Sequence, residues 1–199
     1  MRQPKVVIIG AGVVGASLAD EITERGWTDV TVLDRGPLFS TGGSTSHAPG
    51  LVFQTNASKT MTEFADYTVE KFSSLGAFNA VGGLEVATTP ERWTDLHRKS
   101  GWARSWGVEG RLLDTDECLN IYPLLDRDRV LGGFHTPADG LAMAVRAVEA
   151  QAARATARGA RFLGGQEVAE VINQNGRVTG VRTVAGDVFD ADVVVSAVG

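Results

Sequence analysis

The chain has 199 residues, 43% of them hydrophobic and 22% charged, with a formal net charge of −5 and a pI near 5.2. That composition supports a buried core, and the acidic balance removes the electrostatic case for nucleic acid or an anionic membrane as partner, since both need clustered positive charge. Apolar runs fall far short of the roughly 18 residues of a membrane span, and the first strand starts within five residues of Met1, leaving no room for a signal peptide, so a cytoplasmic location is expected.

Residues 5–9 form an apolar, β-branched run with no polar alternation, the pattern of a parallel strand that needs helices on both faces. The run ends in Gly10-Ala11-Gly12-Val13-Val14-Gly15, and a helical pattern follows through Val14, Leu18, Ala19 and Ile22 to a stop at Gly26. Each glycine has a mechanical reason in a dinucleotide-binding turn. Gly10 makes the tight turn, Gly12 lets the backbone approach a pyrophosphate, and Gly15 lets the helix pack close on the strand, with the phosphates at the helix N-terminus. A second strand over 29–33 ends in Asp34, 19 residues after Gly15, where a carboxylate accepts hydrogen bonds from the adenosine ribose. A 2′-phosphate there would face Asp34 at about 4 Å and be repelled by roughly 4 kcal/mol at an effective dielectric near 20. This argues against NADP despite the neighbouring Arg35.

Directly after this unit comes the loop Gly42-Gly43-Ser44-Thr45-Ser46-His47-Ala48-Pro49-Gly50. Its placement aims the His47 imidazole at whatever cofactor the unit holds and points to a covalently bound flavin; the plain alternative is an ordinary loop histidine.

Helical spacing then predicts a packing helix over 59–75 with Ser58 as N-cap. A strand is expected over 83–88, followed by a helix that Thr89 caps, Pro90 opens and Gly107 ends. Its tryptophans read as core and its His97 as a solvated surface residue. A short segment over 111–113, a capped helical stretch near Glu117 and a strand over 131–136 complete this block, with His135 in a structural role. Cys118 is the one cysteine; lacking a second thiol or nearby histidines, it reads as a half-buried free thiol, with no metal site.

After an Asp139-Gly140 turn, a helix rich in alanine and arginine runs to about Arg158, where Gly159 stops it. A short strand over 161–163 follows. Residues 167–173 and 177–184 then pair across Asn175-Gly176, which favours a type I′ hairpin turn, and 187–189 adds a third antiparallel strand. The final run, 192–197, suits a strand buried on both faces, which suggests that the chain is the first part of a longer protein.

The expected architecture is α/β: a Rossmann-like parallel sheet of glutathione-reductase type with an antiparallel β-meander, assigned to 1–80 and 138–199 as a dinucleotide domain. The block 81–137 would begin an α+β substrate domain. An interrupted fold with an antiparallel ribbon after its third helix favours FAD over NAD, although an NAD-dependent dehydrogenase shares the triplet and Asp34, and a non-enzymatic binding module would share the fold.

The whole chain resembles the N-terminal FAD region of the dimethylglycine oxidase and sarcosine dehydrogenase family, within the D-amino-acid-oxidase-like flavoproteins. The resemblance rests on Gly43-Ser44-Thr45-Ser46-His47-Ala48-Pro49-Gly50-Leu51, continued by Val52-Phe53-Gln54-Thr55-Asn56, and on Gly82-Gly83-Leu84-Glu85-Val86-Ala87-Thr88-Thr89. Many dehydrogenase relatives have Trp where Ser46 stands, and the Ser-His-Ala-Pro version is most similar to the bacterial oxidases.

The resemblance implies that His47 is joined to the flavin 8α-methyl group, a neutral imidazole nitrogen adding to an electrophilic form of the ring. It implies FAD contacts from Val13, Val14, Asp34, Arg35, Leu51 and Val168, while the hydroxyls of Ser44, Thr45 and Ser46 would orient phosphate or ribityl oxygens. It further implies oxidative N-demethylation of a small N-methylated amino acid, dimethylglycine to sarcosine, with oxygen as acceptor. Tetrahydrofolate would serve the full-length protein only, and the alternative is a dehydrogenase passing electrons to a protein acceptor. Substrate-positioning residues are expected beyond Gly199, so the chain alone is expected to be inactive; its oligomeric state is left open.

Overall fold

The computed structural model describes residues 3–39 and 43–199; Gly42, the first residue of the histidine loop, lies outside the described residues. The described chain runs β1 (Val6–Ile9), α1 (Val13–Glu24), β2 (Val30–Leu33), α2 (Ser44–His47), β3 (Leu51–Val52), α3 (Lys59–Ser74), β4 (Phe78–Asn79), β5 (Gly83–Ala87) and α4 (Pro90–Trp106). It continues with β6 (Arg111–Leu113), α5 (Thr115–Ile121), β7 (Gly132–Thr136), β8 (Gly140–Ala142), α6 (Ala144–Ala157), β9 (Arg161–Leu163), β10 (Val168–Gln174), β11 (Arg177–Thr183), β12 (Val188–Asp190) and β13 (Val193–Ser196).

These elements form two compact units, one built from 1–49 and 143–199 and the other from 50–142. The sequence places the divisions at 80/81 and 137/138. The compact unit takes in more chain because β3 and β4 both pair with β8, far along the sequence.

In the first unit a parallel sheet has the order β13-β1-β2-β9. Side chains alternate across a strand, and β1 uses both faces. Val6 and Ile8 join Val30, Val32, Ala19 and Ala155 beneath α1 and α6, while Val7 joins Leu33, Val181 and Ala191 on the opposite face. That opposite face is covered by the antiparallel sheet β10-β11-β12, not by the helices expected from the unbroken apolar run. Such a run demands apolar cover on both faces; it does not specify what provides it.

Asn175 (φ 51°) and Gly176 (φ 76°) make the hairpin turn, both in the left-handed region that a type I′ turn requires. The terminal strand departs from expectation in part. β13 has β1 as its neighbour at the sheet edge and packs Val195 on the helix-covered face and Val194 on the ribbon-covered face, both partly buried, while Val193 is 40% exposed. Helices α1 and α6 are bolted together by the fully buried Asp20, which accepts from Arg158 Nη1 at 2.7 Å with Arg154 Nε at 3.4 Å. A Ser17–Gln151 hydrogen bond of 2.7 Å lies between the same two helices.

The second unit holds two antiparallel sheets, β3-β8-β4 and β5-β7-β6. Helix α4 begins as expected, with the Thr89 hydroxyl accepting from the Arg92 amide, and ends on Gly107 in the left-handed conformation (φ 80°). It packs Leu96, Ala103 and Trp93 on Phe134 and Ala87. Trp102 and Trp106 stack at 5.9 Å, and His97 is exposed with its ring edge-on to Trp93 at 4.6 Å. Helix α5 opens with a full capping box between Asp114 and Glu117. Cys118 is fully buried among Leu113 and Val130, deeper than expected, and burial pushes its thiol pKa up. Between the Asp139-Gly140 turn and α6 lies β8, where a directly following helix was expected.

Asp139 is 3% exposed and accepts from the Gln54 amide at 2.9 Å. Burial pushes its pKa up and Glu85 adds to this; the Gln54 amide, Lys99 and Thr136 oppose it. Because the folded pKa is the raised one, the unfolded chain loses this proton first as pH climbs. Stability from Asp139 is therefore full below the ordinary carboxylate pKa and lost as pH rises to the raised value. The melting temperature of the variant Asp139→Asn, minus that of the wild type, is expected to grow as pH rises above the ordinary carboxylate pKa of about 4. A difference independent of pH would refute the assignment.

Candidate functional site

The candidate site is the turn between β1 and α1 with the short helix α2 beside it. Gly10 has φ 108°, and its amide donates to Leu33 O at 2.7 Å; a Cβ on it would stand 2.4 Å from Ala197 O. Gly15 leaves no room at all, since a Cβ would meet Gly10 O at 1.9 Å and Ile8 Cγ2 at 3.3 Å. The close approach assigned to Gly15 is thus of helix to turn as well as helix to strand. Gly12 is the N-cap of α1 and offers no side chain, and no acidic residue stands in the first turn. A helix start with no acidic residue in its first turn favours an anion, although the Val13 amide is taken by the Thr45 hydroxyl and the Ala11 amide by Asp34.

Asp34 does more than await a ribose. Its Oδ2 accepts from the Ala11 amide at 2.8 Å and its Oδ1 from the Gly36 amide at 2.9 Å, so the carboxylate holds the glycine turn in shape. Each oxygen retains a second lone pair for a ribose hydroxyl. Removing this carboxylate would cost structure as well as cofactor affinity. Arg35 is exposed, and Val14 is exposed on the first turn of α1.

Helix α2 is one turn whose N-cap is Gly43. The Gly43 carbonyl gathers it: the Ser46 hydroxyl donates to it at 3.0 Å, and His47 Nδ1 lies 2.9 Å from it. The Ser46 hydroxyl is a second neighbour of Nδ1, at 3.2 Å; in the tautomer that donates from Nδ1 to the carbonyl, Nε2 keeps its lone pair. The Thr45 hydroxyl accepts from the Val13 amide at 3.0 Å, joining α2 to the first amide of α1. Ser44 is exposed.

Gly10, Gly12, Val13 and Gly15 thus share one turn, tied to Asp34 through the Ala11 amide and to Thr45 through the Val13 amide, with Ser46 and His47 on the adjoining helix. Val168 packs against the far face of the sheet with Val7 and Leu33, and Leu51 belongs to the other compact unit, where it is 59% exposed. Sequence reasoning missed the Gly43 carbonyl as the group that orients His47; their separation of four residues, one helical turn, was the available signal.

The sequence profile of the family described as FAD dependent oxidoreductase (DAO) matches residues 5–199. The chain belongs to this FAD dependent oxidoreductase family. It is similar to 4-methylaminobutanoate oxidase (formaldehyde-forming) of Paenarthrobacter nicotinovorans, 31% identical over 98% of this chain and 24% of that one. It is also similar to mitochondrial sarcosine dehydrogenase of Homo sapiens, 28% identical over 92% of this chain and 19% of the relative. The chain therefore spans less than a quarter of the length of these curated relatives.

Among solved structures it is similar to L-proline dehydrogenase from P. horikoshii, with TM-score 0.89 and 28% identity over 98% of this chain and 53% of that one. Glycine oxidase from Geobacillus kaustophilus gives TM-score 0.83 and 26% identity over 100% of this chain and 56% of that one. These likenesses carry the α/β fold with its parallel sheet.

As a member of an FAD dependent oxidoreductase family the chain reads as a flavin binder, and the nicotinamide reading of the same turn gives way. Its residues fit that cofactor. The space where Cβ atoms on Gly10 and Gly15 would collide with backbone is what shapes a close-approach turn, and the donor set at the α1 N-terminus suits a pyrophosphate. No helix among the described residues is long and apolar enough to cross a membrane.

Proposed function

We propose that the intact protein is a flavin-dependent amine oxidoreductase that oxidises the N-methyl group of dimethylglycine to give sarcosine, with dioxygen as acceptor. The observation that carries the reading is the placement of His47, whose Nδ1 lies 2.9 Å from the Gly43 carbonyl, so that the tautomer donating there leaves the Nε2 lone pair free for covalent attachment. The new bond would join Nε2 to the flavin 8α carbon; that carbon and the imidazole each give up one proton, and the two electrons pass through the ring to dioxygen, released as peroxide. In this reading Gly10, Gly12, Val13, Val14 and Gly15 hold the pyrophosphate, Asp34 and Arg35 the adenosine ribose, Val168 the adenine, and Ser44, Thr45, Ser46 and Leu51 the remaining contacts.

Flavin held there would supply a two-electron acceptor for oxidation of the N-methyl carbon, with water or tetrahydrofolate taking up the one-carbon unit. The portions 1–80 and 138–199 would serve the cofactor and 81–137 the substrate side, with the intact protein in the cytoplasm. Support for an N-methyl substrate comes from the activities after which relatives are named, among them dimethylglycine dehydrogenase of Rattus norvegicus, 29% identical over 68% of this chain and 16% of that one. The same names favour a second reading, a dehydrogenase passing electrons to a protein acceptor.

An oxygen electrode with the intact protein separates the two. Oxygen uptake on adding dimethylglycine, with sarcosine and peroxide formed in equal amounts, is the expected outcome when folate is absent. Turnover only with an artificial electron acceptor establishes the dehydrogenase, and turnover with neither dismisses the substrate.

A further inference from the structure

We propose that Thr45 is a positioning residue that couples the phosphate-binding turn to covalent capture of the flavin by His47; the proposal rests on the covalent-flavin reading above. The Thr45 hydroxyl accepts from the Val13 amide, the first of α1, at 3.0 Å. Gly12 makes this contact close, since a Cβ at that position would stand 3.1 Å from Thr45 Oγ1. Having accepted from Val13, the hydroxyl still has its own proton to donate. An oxygen of an anion seated at the α1 N-terminus is the acceptor that proton would meet, so one hydroxyl touches both the turn and its ligand.

The consequence for His47 is geometric. Helix α2 is a single turn of four residues, too short to hold itself in water, and its direction depends on what it is tied to. Thr45 and His47 are two residues apart, about 200° around the helix axis, so fixing Thr45 against α1 turns the imidazole outward; a slip of one residue would swing it by about 100°. The bond from His47 Nδ1 to Gly43 O sets which nitrogen is free, and the bond from Val13 to Thr45 sets where that nitrogen points. Occupancy of the phosphate turn would hold Thr45 from both sides, making attachment follow binding.

The test uses the intact apoprotein, reconstituted with FAD at saturating concentration, in wild-type, Thr45→Val and Thr45→Ser forms. Total flavin after native desalting reports binding; flavin remaining with protein after acid precipitation, followed over time, reports attachment. Thr45→Val keeps shape and loses the hydroxyl. Because the hydroxyl is itself one of the proposed cofactor contacts, it is expected to bind FAD more weakly and, compared at matched occupancy, to attach it at least about tenfold more slowly, as a displaced reacting atom predicts, and Thr45→Ser should restore both.

Attachment by Thr45→Val at the wild-type rate overturns the proposal, and so does a loss of binding that Thr45→Ser does not repair, because Thr45 would then be an element of the fold. Wild-type protein that releases all its flavin on acid treatment overturns the covalent reading itself, and this proposal with it. The two failures are distinguished by the wild-type sample alone.

Discussion

On the covalent-flavin reading, the wild-type protein is expected to carry a flavin-sized mass increment after acid denaturation, and His47→Ala to lack it. The reasoning starts from nucleophilicity. Alanine removes the Nε2 lone pair left free by the Nδ1–Gly43 hydrogen bond, and with it the nitrogen available to form the link. The variant should still bind FAD reversibly, because the glycine turn, the α1 N-terminus and Asp34 are untouched and none of their hydrogen bonds involves His47. Yellow protein that turns colourless on acid precipitation is therefore the expected phenotype. Equal adducts on wild type and variant would move the attachment point elsewhere.

The second large effect is expected at Gly15. A methyl group there would sit 1.9 Å from Gly10 O, a backbone atom, so no side-chain rotation relieves the collision. Overpacking typically costs about 1–3 kcal/mol where side chains can give way; here α1 must be pushed off the strand, and about 3 kcal/mol or more is expected. At roughly 2–4 °C per kcal/mol for a chain of this size, Gly15→Ala should melt about 6–12 °C or more below wild type and lose FAD binding. Gly26→Ala is the control: with φ 89° and nothing within 4 Å of its Cβ, it has only the left-handed backbone to strain, about 1–2 kcal/mol. Melting curves for the two variants that coincide would show that the close packing at Gly15 is not what the glycine serves.

Much of this was legible in the sequence where one residue type answers one local demand. The turn glycines, Asp34 at the end of β2, the Thr89–Pro90 start and Gly107 stop of α4, and Asn175-Gly176 between β10 and β11 all belong to that class. The pairings β3–β8 and β4–β8 were not legible, because strands of two or three residues carry no periodicity and are fixed by partners some 60 to 90 residues away. Cover of the second sheet face by a β-ribbon escaped for another reason: Val7 and Leu33 specify that something apolar lies over them and say nothing of its backbone. At the site the histidine was conspicuous, but the ties that orient it are a backbone carbonyl at Gly43 and a hydroxyl at Thr45, whose partners only the fold reveals.

The first unit is built from two stretches of chain separated by residues 50–142, and this has a consequence during synthesis. β1 and β2 leave the ribosome early, yet their outer neighbours, β13 and β9, follow only after the whole intervening unit. At about 5–20 residues per second, the β1 edge that β13 will cover waits roughly ten to forty seconds for its partner. Unpaired parallel edges of this kind are sticky, whereas the contiguous 50–142 unit can close as soon as it emerges. Nascent chains stalled before β9 should therefore be the ones that holdase chaperones bind, through the apolar surface of β1 and β2.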